Sequence, residues 1–226
     1  MRILAFSDIH GNWKNLQSVM KSEIYDIVLI AGDLSDYSGK VDKVIKVVMD
    51  FIKDYGVATY MVLGNIDDPK LFNELSNIKE IVVLHGSITK RSGYVVIGLS
   101  GGLYSPFHTY FELSDEEYRE LLDNVIQMLS SLKNDQKLIF LTHTPPYNTK
   151  VDLTYDGSHV GSESVRKFIE EYQPLITVCG HIHEGRGVDR INNSLILNPG
   201  PLFKGFYAII NVDDEVIYEL KTINRL

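Results

Sequence analysis

The chain has 226 residues and a mass of 25.6 kDa, with 44% hydrophobic and 23% charged residues, a balance that excludes an intrinsically disordered protein. Its net charge of -8 argues against broad nucleic-acid binding and against an anionic membrane surface. Cys179 is the single cysteine, which excludes an intrachain disulfide, and no apolar run reaches the roughly 18 residues of a membrane-spanning helix. Because Arg2 leads directly into a strand pattern, without a leader, we expect one domain over residues 1–226, located in the cytoplasm.

The first third of the sequence alternates apolar strands with amphipathic helices. Strands are predicted at 3–6, 27–31 and 59–63, and helices from about residue 12 and over 41–51. This alternation is typical of a parallel sheet, in which binding sites form at the carboxyl ends of the strands.

The later part of the sequence has shorter strands and two long loops. Helices are predicted at 114–132, where Ser114 opens a capping box, and at 162–172. Further strands are predicted at 81–83, 88–90, 94–99, 138–141, 175–179, 195–197, 206–212 and 216–220. An aromatic loop covers 101–111, and a second loop covers 147–161. The pattern predicts an α/β protein whose later half builds a second, more antiparallel sheet.

Polar side chains that can bind a metal ion follow five of the predicted strands. These side chains are Asp8 and His10, Asp33, Asn65, His143, and His181 with His183. If the backbone stays extended beyond a strand, side chains two residues apart point the same way, and paired imidazoles suit transition metals. Each residue alone has an ordinary explanation as a helix cap, a turn or a loop histidine. Their common position after buried strands favours one shared metal site.

The order of these motifs resembles that of the calcineurin-like metallophosphoesterase family. The motifs are Asp8-x-His10, Gly32-Asp33-x-x-Asp36, Gly64-Asn65-x-Asp67, His143-x-Pro145, Gly180-His181-x-His183 and Asn198-Pro199-Gly200. The resemblance implies a four-layer αββα sandwich, with two mixed β-sheets flanked by helices and a dimetal site at the sheet ends. It also implies phosphoester hydrolysis with a metal-bridging hydroxide as the nucleophile.

Two divalent metal ions are implied, with a defined set of ligands for each. The resemblance assigns one ion to Asp8, His10, Asp33 and His183, and the other to Asp33, Asn65, His143 and His181. The mixture of imidazole, carboxylate and amide ligands suits manganese first, and also iron, zinc, cobalt or nickel. Two such ions can activate a water molecule and hold both the attacking and the leaving oxygen of a phosphoryl transfer.

The charge of the implied site favours a phosphodiester substrate. Two dications, the carboxylates of Asp8 and Asp33, and a hydroxide leave a charge of about +1, which one diester anion neutralises. A doubly charged monoester would need an additional cation. No motif supplies one, and the nearest candidates along the sequence are Arg186 and Lys150.

The sequence departs from the family pattern at Ile66, where many members have a histidine that assists the leaving group. Isoleucine cannot donate a proton, so acid catalysis requires another residue. His159 in the second loop is the first candidate for that role and His108 in the aromatic loop the second, whereas His85 is expected to be structural. Asp67 is expected to act at the site by orienting a ligand or a water molecule.

Three other functions stay open at this point. A phosphomonoesterase and a nuclease are alternatives within the same fold, although the acidic composition disfavours nucleic acid. A non-catalytic metal-binding scaffold is the third, and Ile66 is the feature that favours it. The expected partner is a small-molecule phosphoester, with no membrane, and a homo-oligomer is left open.

Overall fold

The computed structural model describes residues 1–37, 40–132, 136–213 and 215–223, without the side chains of residues 52 and 53. The strands in these ranges are β1 (Arg2–Phe6), β2 (Ile27–Ala31), β3 (Thr59–Val62), β4 (Ile81–Val83), β5 (Ser87–Arg91), β6 (Tyr94–Leu99), β7 (Gly102–Leu103), β8 (Glu112–Leu113), β9 (Lys137–Thr142), β10 (Ile176–Val178), β11 (Gly187–Ile191), β12 (Ser194–Asn198), β13 (Phe206–Val212) and β14 (Val216–Thr222). The helices are α1 (Trp13–Ser22), α2 (Val41–Tyr55), α3 (Leu71–Leu75), α4 (Asp115–Ser130) and α5 (Glu163–Tyr172), with short 3-10 turns at His183–Gly185 and Leu202–Lys204.

Two six-stranded mixed sheets form the centre of the molecule. The first has the strand order β14-β13-β1-β2-β3-β4, in which β1 to β4 are parallel and the last two strands of the chain are antiparallel. The second has the order β11-β12-β10-β9-β6-β5, in which only the two edge strands pair antiparallel. The expected αββα architecture with two mixed sheets is confirmed.

The alternation of side chains along each strand explains the four layers. In β2, Val28 and Ile30 pack with α1 and α2 on the outer face of the first sheet. Ile27 and Leu29 of the same strand point the other way, into a core shared with the second sheet. A continuous apolar strand is therefore buried on both faces, because successive side chains point to opposite sides of the sheet. The outer face of the second sheet packs in the same way against α4 and α5.

The prediction of a more antiparallel second sheet built from the later half of the chain was wrong in two respects. The central pairings of that sheet are parallel, and β13 and β14 from the end of the chain join the first sheet beside β1. The physical reason is that local periodicity identifies a strand but not its neighbour. The aromatic loop also contains the start of a short parallel pair, β7 with β8, which its sequence does not indicate.

The helix boundaries follow recognisable capping signals. Ser114 accepts a hydrogen bond from the backbone of Glu117, whose side chain returns to the Ser114 backbone, so the predicted capping box is present. Asn12 caps α1 and Ser162 caps α5 in the same manner, each through its side-chain oxygen. Over the described ranges, none of the helices has the length and hydropathy that crossing a bilayer would require.

Candidate metal centre

The predicted ligands meet at the carboxyl ends of the parallel strands of both sheets. Asp8, Asp33 and Asn65 follow β1, β2 and β3 of the first sheet. His143 and the segment of His181 and His183 follow β9 and β10 of the second sheet. The site therefore spans the interface between the sheets, and most of its polar side chains are buried there.

The backbone is not extended where the histidine pair lies, contrary to the expectation that both side chains would point the same way. His181 has a φ of 67°, in the left-handed region, and a 3-10 turn begins at His183. Asp8, His10 and Asp33 have φ values of 52°, 44° and 54°. Such conformations are unfavourable for residues with a Cβ atom and concentrate at functional sites. In the last of these loops, His181 lies beside His143 while His183 lies beside His10 and Asp8.

One group of ligands forms around Asp8 and His183. Nε2 of His183 lies 3.4 Å from Oδ1 of Asp8 and 3.3 Å from Nε2 of His10. Nε2 of His10 lies 3.5 Å from Oδ2 of Asp33. Asp8, His10 and His183 present ligand atoms that all lie within 4.8 Å of one another. These separations match those of ligands on a single small cation.

A second group forms around His143. Its Nε2 atom lies 3.0 Å from Oδ1 of Asn65 and 3.6 Å from Oδ1 of Asp33. The ring centroid of His181 lies 5.0 Å from that of His143. Asp8, Asp33 and His143 also present ligand atoms within 4.8 Å of one another. Asp33 thus contacts both groups, through a different carboxylate oxygen in each.

The hydrogen bonds of His143 and Asn65 to other residues determine which acceptor atoms these two side chains present to the site. Nδ1 of His143 lies 2.7 Å from the carbonyl oxygen of Ala31, so it carries the hydrogen, and Nε2 of a neutral ring is an acceptor. The amide nitrogen of Asn65 donates to the Thr109 hydroxyl at 3.0 Å, which leaves Oδ1 of Asn65 facing the site. Two acceptors at 3.0 Å and the nearby Asp33 carboxylate therefore need a proton or a cation between them.

Two buried atoms of the site have no hydrogen-bond partner among the described residues. They are Oδ2 of Asp8 and Nδ1 of His10. Buried polar atoms are normally satisfied, so an unpartnered carboxylate oxygen beside convergent lone pairs indicates a cation-binding site. Carboxylate, imidazole and amide ligands form a donor set that fits divalent transition metals. The residues present thus fit two metal ions.

Burial and neighbouring charges shift the pKa values of the ligands. Burial, together with the charges of Asp8 and Asp67, raises the pKa of Asp33 to about 7 despite the nearby His143. Burial lowers the pKa of His181 to about 3, an effect that the nearby His143 reinforces, so its imidazole is neutral and able to ligate a metal ion. A site that crowds carboxylates in this way is stabilised by added positive charge.

Asp67 is buried, and both of its carboxylate oxygens accept hydrogen bonds from backbone groups of the site's loops. Its carboxylate accepts hydrogen bonds from the backbone N–H groups of Leu34, Ser35 and Gly64, at 3.1, 2.8 and 2.9 Å. It thereby ties the loop of Asp33 to the turn of Asn65. The backbone N–H of Ile66 donates to Oδ1 of Asp33 at 3.0 Å, and its side chain lines the cavity over the ligands.

The three remaining histidines lie in different environments. Nδ1 of His159 lies 2.7 Å from Oδ1 of the buried Asp152, and its ring meets that of Tyr147 edge-on. His159 is not among the described residues that line the cavity over the ligands. His108 is exposed. His85 accepts a hydrogen bond from the backbone of Ser100 and packs against aromatic rings, which agrees with its expected structural role.

Tyr37 and Thr109 lie at the site and were not identified from the sequence. The cavity over the ligands has a volume of about 420 Å³ and is also lined by Tyr37, Phe107 and Thr109. The Thr109 hydroxyl donates to Glu112 at 2.7 Å, which is why it accepts from Asn65. No spacing pattern indicates this contact, because it joins the aromatic loop to a turn 44 residues earlier.

The two candidate cations have other contacts. The guanidinium of Arg186 lies 4.4 Å from the ring centroid of Phe206 and contacts the carbonyl oxygen of Lys221. Lys150 is exposed, and its backbone N–H donates to Asp189. Among the described residues that line the cavity over the ligands, none is a lysine or an arginine.

Comparison with known proteins gives consistent results. The sequence model of the calcineurin-like phosphoesterase family matches residues 1–185. An uncharacterized protein of Methanocaldococcus jannaschii is 34% identical over 206 residues, which cover 89% of this chain and 88% of the relative. A crystal structure from Thermus thermophilus has a TM-score of 0.79 at 20% identity and covers 99% of both chains. A dimetal phosphatase from Danio rerio has a TM-score of 0.67 at 12% identity, with 98% and 96% coverage, and like the Thermus structure shows a shared fold.

Proposed function

This chain belongs to the calcineurin-like phosphoesterase family, and we propose that it is a dimetal phosphodiesterase acting on a small-molecule substrate. The observation that carries the proposal is the convergence of lone-pair atoms from His143, Asn65 and Asp33 beside a cavity whose described lining residues include no lysine or arginine. A phosphoester hydrolase of this family needs divalent cations at such a point.

The proposed ligand sets follow the two groups of contacts. Asp8, His10, Asp33 and His183 would hold one ion, and Asp33, Asn65, His143 and His181 the other. When bound, two such ions would supply an activated water molecule and neutralise the phosphoryl oxygens. Manganese is the first candidate, and iron, zinc, cobalt and nickel also suit this donor set.

The preference for a diester rests on the charges that face the cavity. Asp8 and Asp33 bring two negative charges, and no described lysine or arginine lines the cavity. Arg186 contacts Phe206 and the Lys221 carbonyl oxygen and is not among the described residues that line the cavity. Two dications with these carboxylates leave a small positive charge, which suits a singly charged diester better than a doubly charged monoester.

The chain's other residues have supporting roles in this proposal. Asp67 orients Asp33 and Asn65 indirectly, because it holds the backbone of both loops. Ile66 cannot protonate a leaving group, so the reaction favours substrates that leave without assistance unless His159 donates a proton. That role for His159, the single domain over residues 1–226 and the cytoplasmic location stay predictions.

The test begins with protein purified without a chelator, whose metal content is measured per chain by mass spectrometry. Turnover of bis-p-nitrophenyl phosphate and of p-nitrophenyl phosphate is then compared after metal removal and after addition of Mn²⁺. We expect two ions per chain and a kcat/KM for the diester that exceeds that for the monoester by about tenfold or more. Asp33→Asn serves as the inactive control, because Asp33 belongs to both ligand sets.

Three outcomes would contradict the proposal in different ways. A preference for the monoester would indicate a phosphomonoesterase. Cleavage of single-stranded DNA, with no turnover of the small diester, would indicate a nuclease. Two bound ions per chain, with no turnover of any of the three substrates, would indicate a metal-binding scaffold, the function that Ile66 favours.

A further inference from the structure

A second cavity adjoins the one over the metal ligands. It has a volume of about 620 Å³, and both cavities include His10 and Tyr37 in their walls. The remaining lining residues of the second cavity are Gly11, Asn12, Trp13, Lys14 and Phe203. A volume of this size is in the range of small-molecule sites. A group attached to a phosphoester at the ligands could therefore extend past His10 into this space.

Aromatic rings form the boundary between the two cavities. The ring of Tyr37 is parallel to that of His10, with centroids 5.0 Å apart and an interplanar angle of 7°. Phe203 meets His10 edge-on at 5.4 Å and His183 edge-on at 5.2 Å. Tyr37 is nevertheless 70% exposed. With one face against His10, its exposed surface includes a flat apolar face that no described side chain stacks against.

The opposite wall is held in place by hydrogen bonds to α1 and to the residue before it. The side-chain amide of Asn15 donates to the carbonyl oxygen of Leu202 at 2.8 Å, and that of Asn12 donates to the carbonyl oxygen of Phe203 at 3.4 Å. Trp13 is largely buried at 8% exposure. The wall that contains Phe203 and Trp13 is thus held in place before any ligand binds, which reduces the entropy lost on binding.

We propose that this second cavity binds a planar aromatic group of the substrate, so that the phosphodiester carries an aryl or nucleobase substituent. This inference rests on the proposed phosphodiesterase function and deepens it. A flat ring gains from stacking on the open face of Tyr37, whereas an alkyl or sugar group does not have a π face to offer. Lys14 also lines this cavity, and the ammonium of Lys204 lies 5.6 Å from the ring centroid of Phe203.

The sole tryptophan provides a readout that does not need turnover. Trp13 lines the second cavity, so its fluorescence should change when an aromatic ligand enters. Phenylphosphonate and methylphosphonate are compared on the Mn²⁺-loaded protein, by fluorescence titration and as competitive inhibitors of bis-p-nitrophenyl phosphate hydrolysis. We expect phenylphosphonate to bind about tenfold more tightly or better and to change the fluorescence, and methylphosphonate to leave the fluorescence unchanged.

Variants of Tyr37 separate stacking from other effects. Tyr37→Ala should weaken phenylphosphonate binding about tenfold and leave the inhibition constant of methylphosphonate within about twofold of its original value. Tyr37→Phe keeps the ring and should retain tight binding of phenylphosphonate. Tyr218→Ala, which removes a partly exposed tyrosine from β14, is the matched control and should behave as the unaltered protein.

The outcomes distinguish this inference from the function on which it rests. Turnover of the diester combined with equal inhibition constants for the two phosphonates would overturn the aromatic subsite alone. Tighter binding of phenylphosphonate that Tyr37→Ala does not weaken would overturn the role of Tyr37 and with it the proposed location. Absence of turnover on any phosphodiester would overturn the proposed function, whatever the fluorescence shows.

Discussion

The amide nitrogen of Asn65 donates to the hydroxyl of Thr109 at 3.0 Å, and this single contact fixes the orientation of a metal-facing amide. Thr109 in turn donates to Glu112 at 2.7 Å, so its oxygen is free to accept. Oδ1 of Asn65 is therefore directed toward Nε2 of His143, 3.0 Å away. Thr109 of the aromatic loop thereby determines that Asn65 presents its oxygen, and not its nitrogen, to the site.

Replacement of Asn65 by alanine should weaken one of the two metal sites. The variant loses the amide oxygen of the group around His143 and leaves the group around His183 intact. We expect the second metal equivalent to be lost on dialysis and kcat to fall by about a hundredfold or more. Metal analysis and turnover measure the two effects. Asn73→Ala, on the exposed face of α3, is the control, and two retained metal equivalents in Asn65→Ala would contradict the ligand role.

Replacement of Thr109 by valine should reproduce part of that effect without touching a ligand. Valine cannot accept from Asn65 or donate to Glu112, so the amide is free to rotate. We expect the affinity for the second metal ion to fall by about 10- to 100-fold, measured by calorimetric titration of the metal-free protein. Thr109→Ser keeps the hydroxyl and should bind metal normally. Equal weakening in the serine and valine variants would indicate that loop packing, not the hydroxyl, is responsible.

Replacement of His159 by asparagine tests whether this residue donates a proton. A general acid at His159 predicts a loss of about 10²- to 10⁴-fold for an ethyl ester leaving group and a much smaller loss for p-nitrophenolate. Rates on the two diesters are compared with those of Asp152→Asn, which removes the negative charge beside the imidazole and keeps an acceptor for Nδ1. Equal slowing on both substrates would assign His159 to the structure of the second loop, a role that its contacts with Asp152 and Tyr147 already give it.

The burial of His85 should make the protein less stable in mild acid. Burial lowers the pKa of His85 from 6.5 to about 4. Between these pH values the imidazole is protonated in the unfolded chain and neutral in the folded chain. The free energy of unfolding is therefore unaffected by His85 above pH 6.5. It decreases as the pH falls from 6.5 toward 4, because the unfolded chain takes up a proton in that range and the folded chain does not. After allowance for partial exposure, we expect a loss of about 1–2 kcal/mol in the free energy of unfolding at a pH of about 4.5.

The measurement is urea denaturation of the chelated protein at neutral pH and at that mildly acidic pH. His85→Gln does not titrate in this range and should show a smaller loss between the two pH values than the unaltered protein. His108→Gln, at an exposed position, should show the same loss as the unaltered protein. An equal loss in the His85 and His108 variants would mean that other groups, including the metal ligands, account for the acid sensitivity.

The sequence by itself determined most of the strands and the fold class, and the ligand residues that it indicates stay a prediction. Strands such as β2, β4, β6 and β13 have the predicted bounds, because burial on one or both faces imposes a local hydrophobic period. The ordered motifs likewise identified the family, because each motif is a short local pattern that can be recognised without knowing which segments lie next to it in the fold. The missed α3, β7, β8 and β11 are short or lack such a period.

Only the tertiary structure decided which atoms meet. The left-handed backbone at His181 sends its ring toward His143, while His183 reaches His10 and Asp8 from far along the sequence, 173 residues away in the case of His10. The partnership of Asn65 with Thr109 and the stacking of Tyr37 on His10 are decided in the same way. Such contacts depend on how loops from separate strands are brought together, and no local period in the sequence records that arrangement.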